Sequence, residues 1–561
     1  MTQRTPRVPR KPRRLLWTGV ILLALLNLLG ALALALLPYR QSLFPAPGSA
    51  QSSPTATRPQ SPWYLAGGGP CVRLPSPPPE QVSNIRVSQD AFLAHSEPEI
   101  AENPLNPLNL VGGSKFFTDP AHYEFKIGYY TSMDGGCTWT DGGVFPGYDR
   151  YILTSDISFA FGRHNDVYGA VLVDGETGNT RFSGITVSRS TDGGRTFLPP
   201  VLVHADPTGR TFSDKPWIGV DNTTGPYAGS LYVVWNLDAT TSDSAPIYFS
   251  RSTDGGRTFS AGREITGISP RCRFGEPAGN SGARLCDSAL GATPVISPDG
   301  TISVVYAYLD PILSENDHDN GQGQDQGSVQ QPGPASLNSQ TQPAQCSALR
   351  PGQAAHTHML VVQSQDGGQT WRNPVDAAEV YDLPFHFRNS CFRNFSLPAF
   401  AADQTNGTLY IAWSDERNGD ADIVLVRSTD GGQTWGAPVR VNDDPVGDGK
   451  DQFQPQLAVA PNGVVSVMFF DRRDDPNNVL INVYLAQSTD NGQTFGPNAR
   501  VTDASSDPSL DAPVPDDGSH VTFFGDYQGL AVDNHFAHVF WNDTRTGSQE
   551  IFTAAMPSVQ P

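Results

Sequence analysis

The apolar positions of this chain fall into two unlike patterns. The first is a single uncharged, leucine-rich stretch from Leu15 to Leu37. As a helix rising about 1.5 Å per residue it is roughly 34 Å long, enough to cross the hydrocarbon core of a bilayer. Everything after it is different. Short runs rich in β-branched and aromatic residues are separated by Gly, Asp and Asn, and no long run repeats at helical spacing. The first pattern predicts a membrane-spanning helix and the second an all-β chain.

The β-rich part is repetitive. An octapeptide, S-x-D-x-G-x-T-[W/F], recurs six times, at Ser132–Trp139, Ser190–Phe197, Ser252–Phe259, Ser364–Trp371, Ser428–Trp435 and Ser488–Phe495. Its residue types suit a rigid hairpin staple. Asp430 is placed to accept from the backbone N–H groups of its own turn, Gly432 permits a backbone angle closed to other residues, and Trp435 offers a ring to bury between sheets. A period of about 60 residues is that of a propeller or solenoid. First strands with an x-Pro start precede the octapeptides, as in Glu97-Pro98, Lys215-Pro216, Leu397-Pro398 and Gln454-Pro455. Second strands end in an aromatic and an acid, as in Trp413-Ser414-Asp415, Phe469-Phe470-Asp471 and Trp541-Asn542-Asp543.

A seventh repeat begins at Gly529–Val532 and runs out of chain where its octapeptide is due. The segment Asn84–Asp90 resembles the fourth strands near Val439 and Arg500, so it is expected to complete the last blade from the other end of the domain. Closure of that kind removes open sheet edges. The prediction is a seven-bladed β-propeller with six octapeptide turns.

The octapeptide is the Asp box, and residues 81–561 resemble the sialidase superfamily of Asp-box (BNR-repeat) β-propellers. The resemblance implies that each box joins the third and fourth strands of a blade, on the face opposite the active site. Sialidases of the family usually have six blades, and their F-R-[I/L]-P motif is absent; the nearest string is Phe125-Lys126-Ile127-Gly128.

Charge settles orientation and narrows function. Six basic residues precede Leu15 and one, Arg40, follows Leu37, which places the N-terminus in the cytoplasm and the rest outside. The small residues of Ala33-Leu34-Ala35 leave open a cleaved signal peptide and a secreted product. The organisation is then a basic tail at 1–14, an anchor at 15–37, a Pro/Ser-rich linker at 41–80, and the propeller at 81–561 with a low-complexity insertion at about 311–345. Beyond residue 40 the chain carries 30 Lys/Arg against 57 Asp/Glu, a surface that repels phosphate backbones, so nucleic acid is not expected as a partner. Six cysteines in an oxidising compartment predict disulfides, with Cys272–Cys286 the first pair expected and Cys346–Cys391 another candidate.

Candidate chemistry lies on the face away from the boxes. Segments entering the first strands supply Glu97, Asp156, Asp214, Lys215, Asp526 and Tyr527, and the turns after the second strands supply Asp415/Arg417, Asp471/Arg473 and Asp543/Arg545. His386, Arg388 and Arg393 precede the fifth blade. Because Asp-x-Arg recurs in three successive blades, it also reads as an ion pair bracing a repeated turn. The family's sialidases clamp a substrate carboxylate with three arginines and use a tyrosine nucleophile paired with an acid. The resemblance therefore implies Asp156 for proton transfer, Asp526 with Tyr527 as the nucleophilic pair, and Arg393, Arg473 and Arg545 for substrate. Two functions stay open: a propeller that binds a glycan or extracytoplasmic protein, and an exo-α-sialidase-type hydrolase. No cofactor is expected. The His356/His358 pair lacks a third ligand and Glu315, Asp317, His318 and Asp319 read as a solvated acidic loop, so no metal is expected either.

Overall fold

The computed structural model describes residues 83–561, apart from 178–179, 243, 274–282, 310–356, 388–389 and 514–521. The tail, the Leu15–Leu37 span, the linker and the insertion at 311–345 lie outside the described residues. Among those described, no helix is long and apolar enough to cross a membrane.

Seven antiparallel four-stranded sheets follow one another along the chain. Blade 3 shows the plan: Thr211–Val220, Leu231–Ala239, Ile247–Ser252 and Arg263–Glu264, paired in sequence order. Blades 1 and 2 span 93–144 and 153–205, and blades 4, 5 and 6 span 289–380, 399–440 and 452–500. Blade 7 takes three strands from 529–557 and its fourth from Ile85–Arg86, which pairs with the strand Glu550–Pro557. First strands of successive blades touch, and that of blade 7 touches that of blade 1, so the ring closes. The expected closure is therefore present. Val87, fully buried, donates its N–H to the Ile551 carbonyl at 2.7 Å, and Ser88 Oγ donates to Glu550 Oε2 at 2.6 Å.

The hydrophobic core lies between blades. Blades 5 and 6, for instance, share Tyr410, Leu425, Leu457, Val467 and Phe469. All six boxes join third to fourth strands and share one bonding pattern. In the fifth, Ser428 Oγ donates to Asp430 Oδ1 at 2.8 Å, the N–H of Thr434 reaches the same oxygen at 3.0 Å, and Thr434 Oγ1 donates to Asp430 Oδ2 at 2.6 Å. Gly432 takes φ +84°, where a side chain would be strained. Of the box carboxylates Asp430 is exposed and the other five are half-buried, and the aromatic residue is the anchor: Trp139 is buried and its ring lies 5.5 Å from Phe540 of blade 7. Cys272 and Cys286 are bonded, as expected, beside the short ladder Ile268–Ser269 with Arg284–Leu285. Cys137 and Cys391 are also in disulfides, and the partner proposed for Cys391, Cys346, lies outside the described residues.

Candidate functional site

Register defines the site. In each blade the last ladder residue of the first strand pairs with the start of the second strand: Glu102, Phe161, Val220, Ile296, Ala402, Val459 and Val532. Counting back five residues gives Glu97, Asp156, Lys215, Gly291, Leu397, Gln454 and Tyr527, one per blade, a ring around the channel. The ladder slips at this point in blades 1, 2, 3, 4 and 6. There Glu97, Asp156, Lys215 and Gln454 take φ between +46° and +52°, a left-handed conformation strained for side chains of this size. Strain of this kind persists only where the surroundings enforce it and clusters at functional sites. The bulge turns polar side chains toward the axis while the rest of each strand stays in the blade.

The ring is divided by chemistry. Blades 7, 1, 2 and 3 contribute Tyr527, Glu97, Asp156 and Lys215, whereas blades 4 and 5 contribute Gly291 and Leu397. At the polar side, Asp526 is buried and receives Arg393 in a two-pronged pair, Nε to Oδ1 at 2.9 Å and Nη2 to Oδ2 at 2.7 Å, while Lys215 Nζ reaches Oδ2 at 2.8 Å. Burial alone would raise the Asp526 pKa, but the two cations outweigh it and hold the carboxylate well below its ordinary value. Lys215 is buried too, and its carboxylate neighbours keep it protonated against that burial. Tyr527 OH donates to Asp156 Oδ1 at 3.1 Å. Burial, and then the charges of Asp156 and Glu97, push this phenol well above its ordinary value. The geometry thus pairs Tyr527 with Asp156, where the sequence suggested Asp526, and commits Asp526 to two cations.

Glu97 completes the polar side. Its side chain is buried, one carboxyl oxygen has no hydrogen-bond partner, and burial followed by the charge of Asp156 pushes it up to about 8. A carboxyl with that value carries its proton at neutral pH. Gly525 lies against it: a Cβ there would stand 3.0 Å from the Glu97 backbone nitrogen, and its φ is +91°. Gln454 Nε2 donates to the Gly525 carbonyl at 2.6 Å, tying blade 6 to the loop that carries Asp526. A pocket open to solvent is lined by Lys215, Trp217, Leu397, Gln454, Asp526 and Tyr527 among others. The partly buried Trp217 meets Tyr527 edge-to-face at 5.8 Å between centroids.

The other two arginines assigned to substrate are not brought to this cluster. Arg473 bonds Asp471 at 2.7 Å and Asp443 at 2.5 Å and lies over Tyr484. Arg545 bonds Asp543 and Asp503 and lies over Phe552, and Arg417 bonds Asp415 in the same way. Each braces its own turn, the repeat role that the recurring Asp-x-Arg suggested. His386 is half-buried and forms a bridge with Arg393, so the loop before blade 5 is a small hairpin that presents this arginine; Arg388 lies outside the described residues. His358 bonds Asp376 at 3.2 Å, and His356 lies outside the described residues, as do Glu315, Asp317, His318 and Asp319. Away from the ring, Glu102, Asp533 and His538 bring one ligand atom each within 4.8 Å of one another.

Residues 346–538 match the family model of a BNR repeat-like domain. A search of curated proteins finds no match. Among solved structures, a protein of unknown function from Dyadobacter fermentans is similar at 13% identity and a TM-score of 0.44, over 85% of this chain and 98% of that one. A Hadza microbial sialidase is similar at 15% identity and 0.40, over 81% and 75% of the two chains. An α-L-arabinanase of Penicillium chrysogenum, complexed with arabinobiose, is similar at 12% and 0.39, over 85% and 99%.

Sequence reasoning passed over Arg472. It is fully buried in blade 6, donates to Ser390 Oγ at 2.7 Å and lies over the rings of Phe387, Phe392 and Phe453. It pins the hairpin that carries Arg393. No repeat flagged it, because its neighbour Arg473 holds the repeated position. Lys215, Glu97 and Gln454 did have a signal, since each is the polar residue before the proline of a first strand.

Proposed function

We propose that the propeller binds a glycan at the channel mouth, on the face opposite the Asp boxes. One observation carries this reading: an aromatic wall, Trp217 against Tyr527, stands in the same cavity as Lys215, Gln454 and Asp526. Aromatic faces take the C–H faces of sugar rings, and convergent polar groups take their hydroxyls. Anchored through residues 15–37, the propeller would present this mouth outside the cell; protease shaving of intact cells tests that placement. The test of the ligand is the full-length chain on a glycan array. Trp217→Ala is expected to abolish the signal while the melting temperature stays within a few degrees. Retained binding in that variant sinks the assignment of the site.

A second reading, glycoside hydrolysis, is favoured by a specific pairing. Glu97, pushed up to about 8, holds a proton near Asp156, whose carboxyl oxygen accepts from Tyr527. A neutral acid next to a carboxylate is the arrangement that acid-assisted glycosidic cleavage uses. Turnover of a fluorogenic glycoside that disappears in Glu97→Gln and Tyr527→Phe supports it; no turnover across a panel that includes every glycan bound on the array refutes it.

A further inference from the structure

We infer that the glycan this pocket takes is uncharged, with neither a sialic nor a uronic acid at the bound residue. The inference rests on the glycan reading above and adds the chemical class of the ligand. It comes from where the positive charge around the channel is already spent. Arg393 gives Nε and Nη2 to the two oxygens of Asp526, in the bidentate geometry it would need for a substrate carboxylate. Lys215 gives its ammonium to the same carboxylate and has Asp214 at 3.7 Å. Lys115 is buried in an aromatic enclosure, 4.0 Å from the Phe125 ring and 4.1 Å from that of Phe523. Arg473 and Arg545 are held by the aspartates of their own turns.

The acids are in surplus. Asp526 supplies from within the protein the anion that an acidic sugar would otherwise bring. Beyond it, Asp156 is buried on the first strand of blade 2 and, among the described residues, has no Lys or Arg within ion-pair distance, while the buried Glu97 and Glu99 offer an anion no positive charge. An incoming carboxylate would therefore have to displace Asp526 from Arg393 and leave that buried aspartate to Lys215 alone, with Asp156 the next acid beyond the Tyr527 hydroxyl. Like charges so placed discriminate strongly against a wrong partner. The hydroxyls of a neutral sugar meet no such obstacle, because carboxylates and Gln454 bond them while the Trp217 ring takes a C–H face.

The experiment is matched-pair titration of the full-length chain with a sialylated oligosaccharide and its desialylated counterpart, across the glycans that score on the array. The desialylated member is expected to bind about a hundredfold more tightly. Equal or tighter binding of the sialylated member overturns the inference and leaves the glycan reading standing. Absence of binding to any glycan overturns both. Asp526→Asn supplies a gain-of-function arm, since it releases Arg393 and Lys215: the sialylated member should gain at least tenfold relative to its partner. A folded Asp526→Asn protein in which the ratio is unchanged also overturns the inference. If that variant fails to fold, the wild-type pair decides alone.

Discussion

The three-membered cluster at the channel can be taken apart one charge at a time. In Lys215→Met the aliphatic stem remains and the ammonium is lost. Asp526, with a side chain 1% exposed, then keeps only the bidentate Arg393. Breaking a buried pair by removing one partner costs about 3–5 kcal/mol, because the remaining charge is left uncompensated. With Arg393 still in place the loss should fall near 3 kcal/mol. Arg393→Met removes two of the three charge-assisted bonds and should fall near 5 kcal/mol. For about 480 residues between 83 and 561, an unfolding entropy of about 2.1 cal/mol/K per residue gives roughly 1 kcal/mol per degree. The two variants should therefore melt about 3 °C and 5 °C below the parent, by calorimetry at pH 7. The cause is separable: in an Asp526→Asn background, where no buried anion needs a partner, the further effect of Lys215→Met should shrink below about 1 kcal/mol. Equal melting of the parent and the two single-cation variants, or a loss undiminished in the Asn background, refutes the account of Asp526 as a carboxylate held by two cations.

Three further outcomes are expected. The box carboxylates Asp254, Asp366, Asp430 and Asp490 are lowered from 3.8 to about 2, chiefly through the hydroxyl and N–H groups that bond them against any cost of burial. Below pH 4 the unfolded chain takes up these protons first, so stability present above that value should drain away as pH falls toward 2; a melting temperature flat from pH 4.5 to 2.5 contradicts this. Val87→Asp places an unpaired charge in the closure of blade 7 and should lower the melting temperature by several degrees, on the order of 3–5 kcal/mol, whereas a change under 0.5 kcal/mol would mean the strand is not seated there. Replacing Cys272 and Cys286 together by Ser opens a loop with a sequence separation of 14 and should cost about 3 kcal/mol, read by the same calorimetry; no loss would count against that crosslink as a constraint.

Blade number and closure were legible in the amino-acid sequence because they depend on local chemistry repeated many times. Each Asp box is a self-contained turn whose bonds run within five residues, so its six copies announce six blades, and strand-like spacing at Gly529–Val532 with a spare strand near Ile85 announces the seventh. The brace formed by Asp471 and Arg473 is local in the same sense, and its recurrence in three blades pointed to a structural part. The site is of another kind. Asp526 and Lys215 are 311 residues apart, Asp526 and Arg393 133, and Tyr527 and Asp156 371. The repeat sets Tyr527, Asp156 and Lys215 at equivalent places in their blades but does not say which groups meet, and side-chain type alone offered Asp526 to Tyr527 because they are neighbours in the chain. Only the tertiary structure, by bringing seven first strands to one axis and slipping five of their ladders at the same register, decided which acid faces the tyrosine and which is neutralised. Local bonds fix blades whatever their surroundings, whereas the charge state of a buried group is set by partners that the fold alone brings within reach.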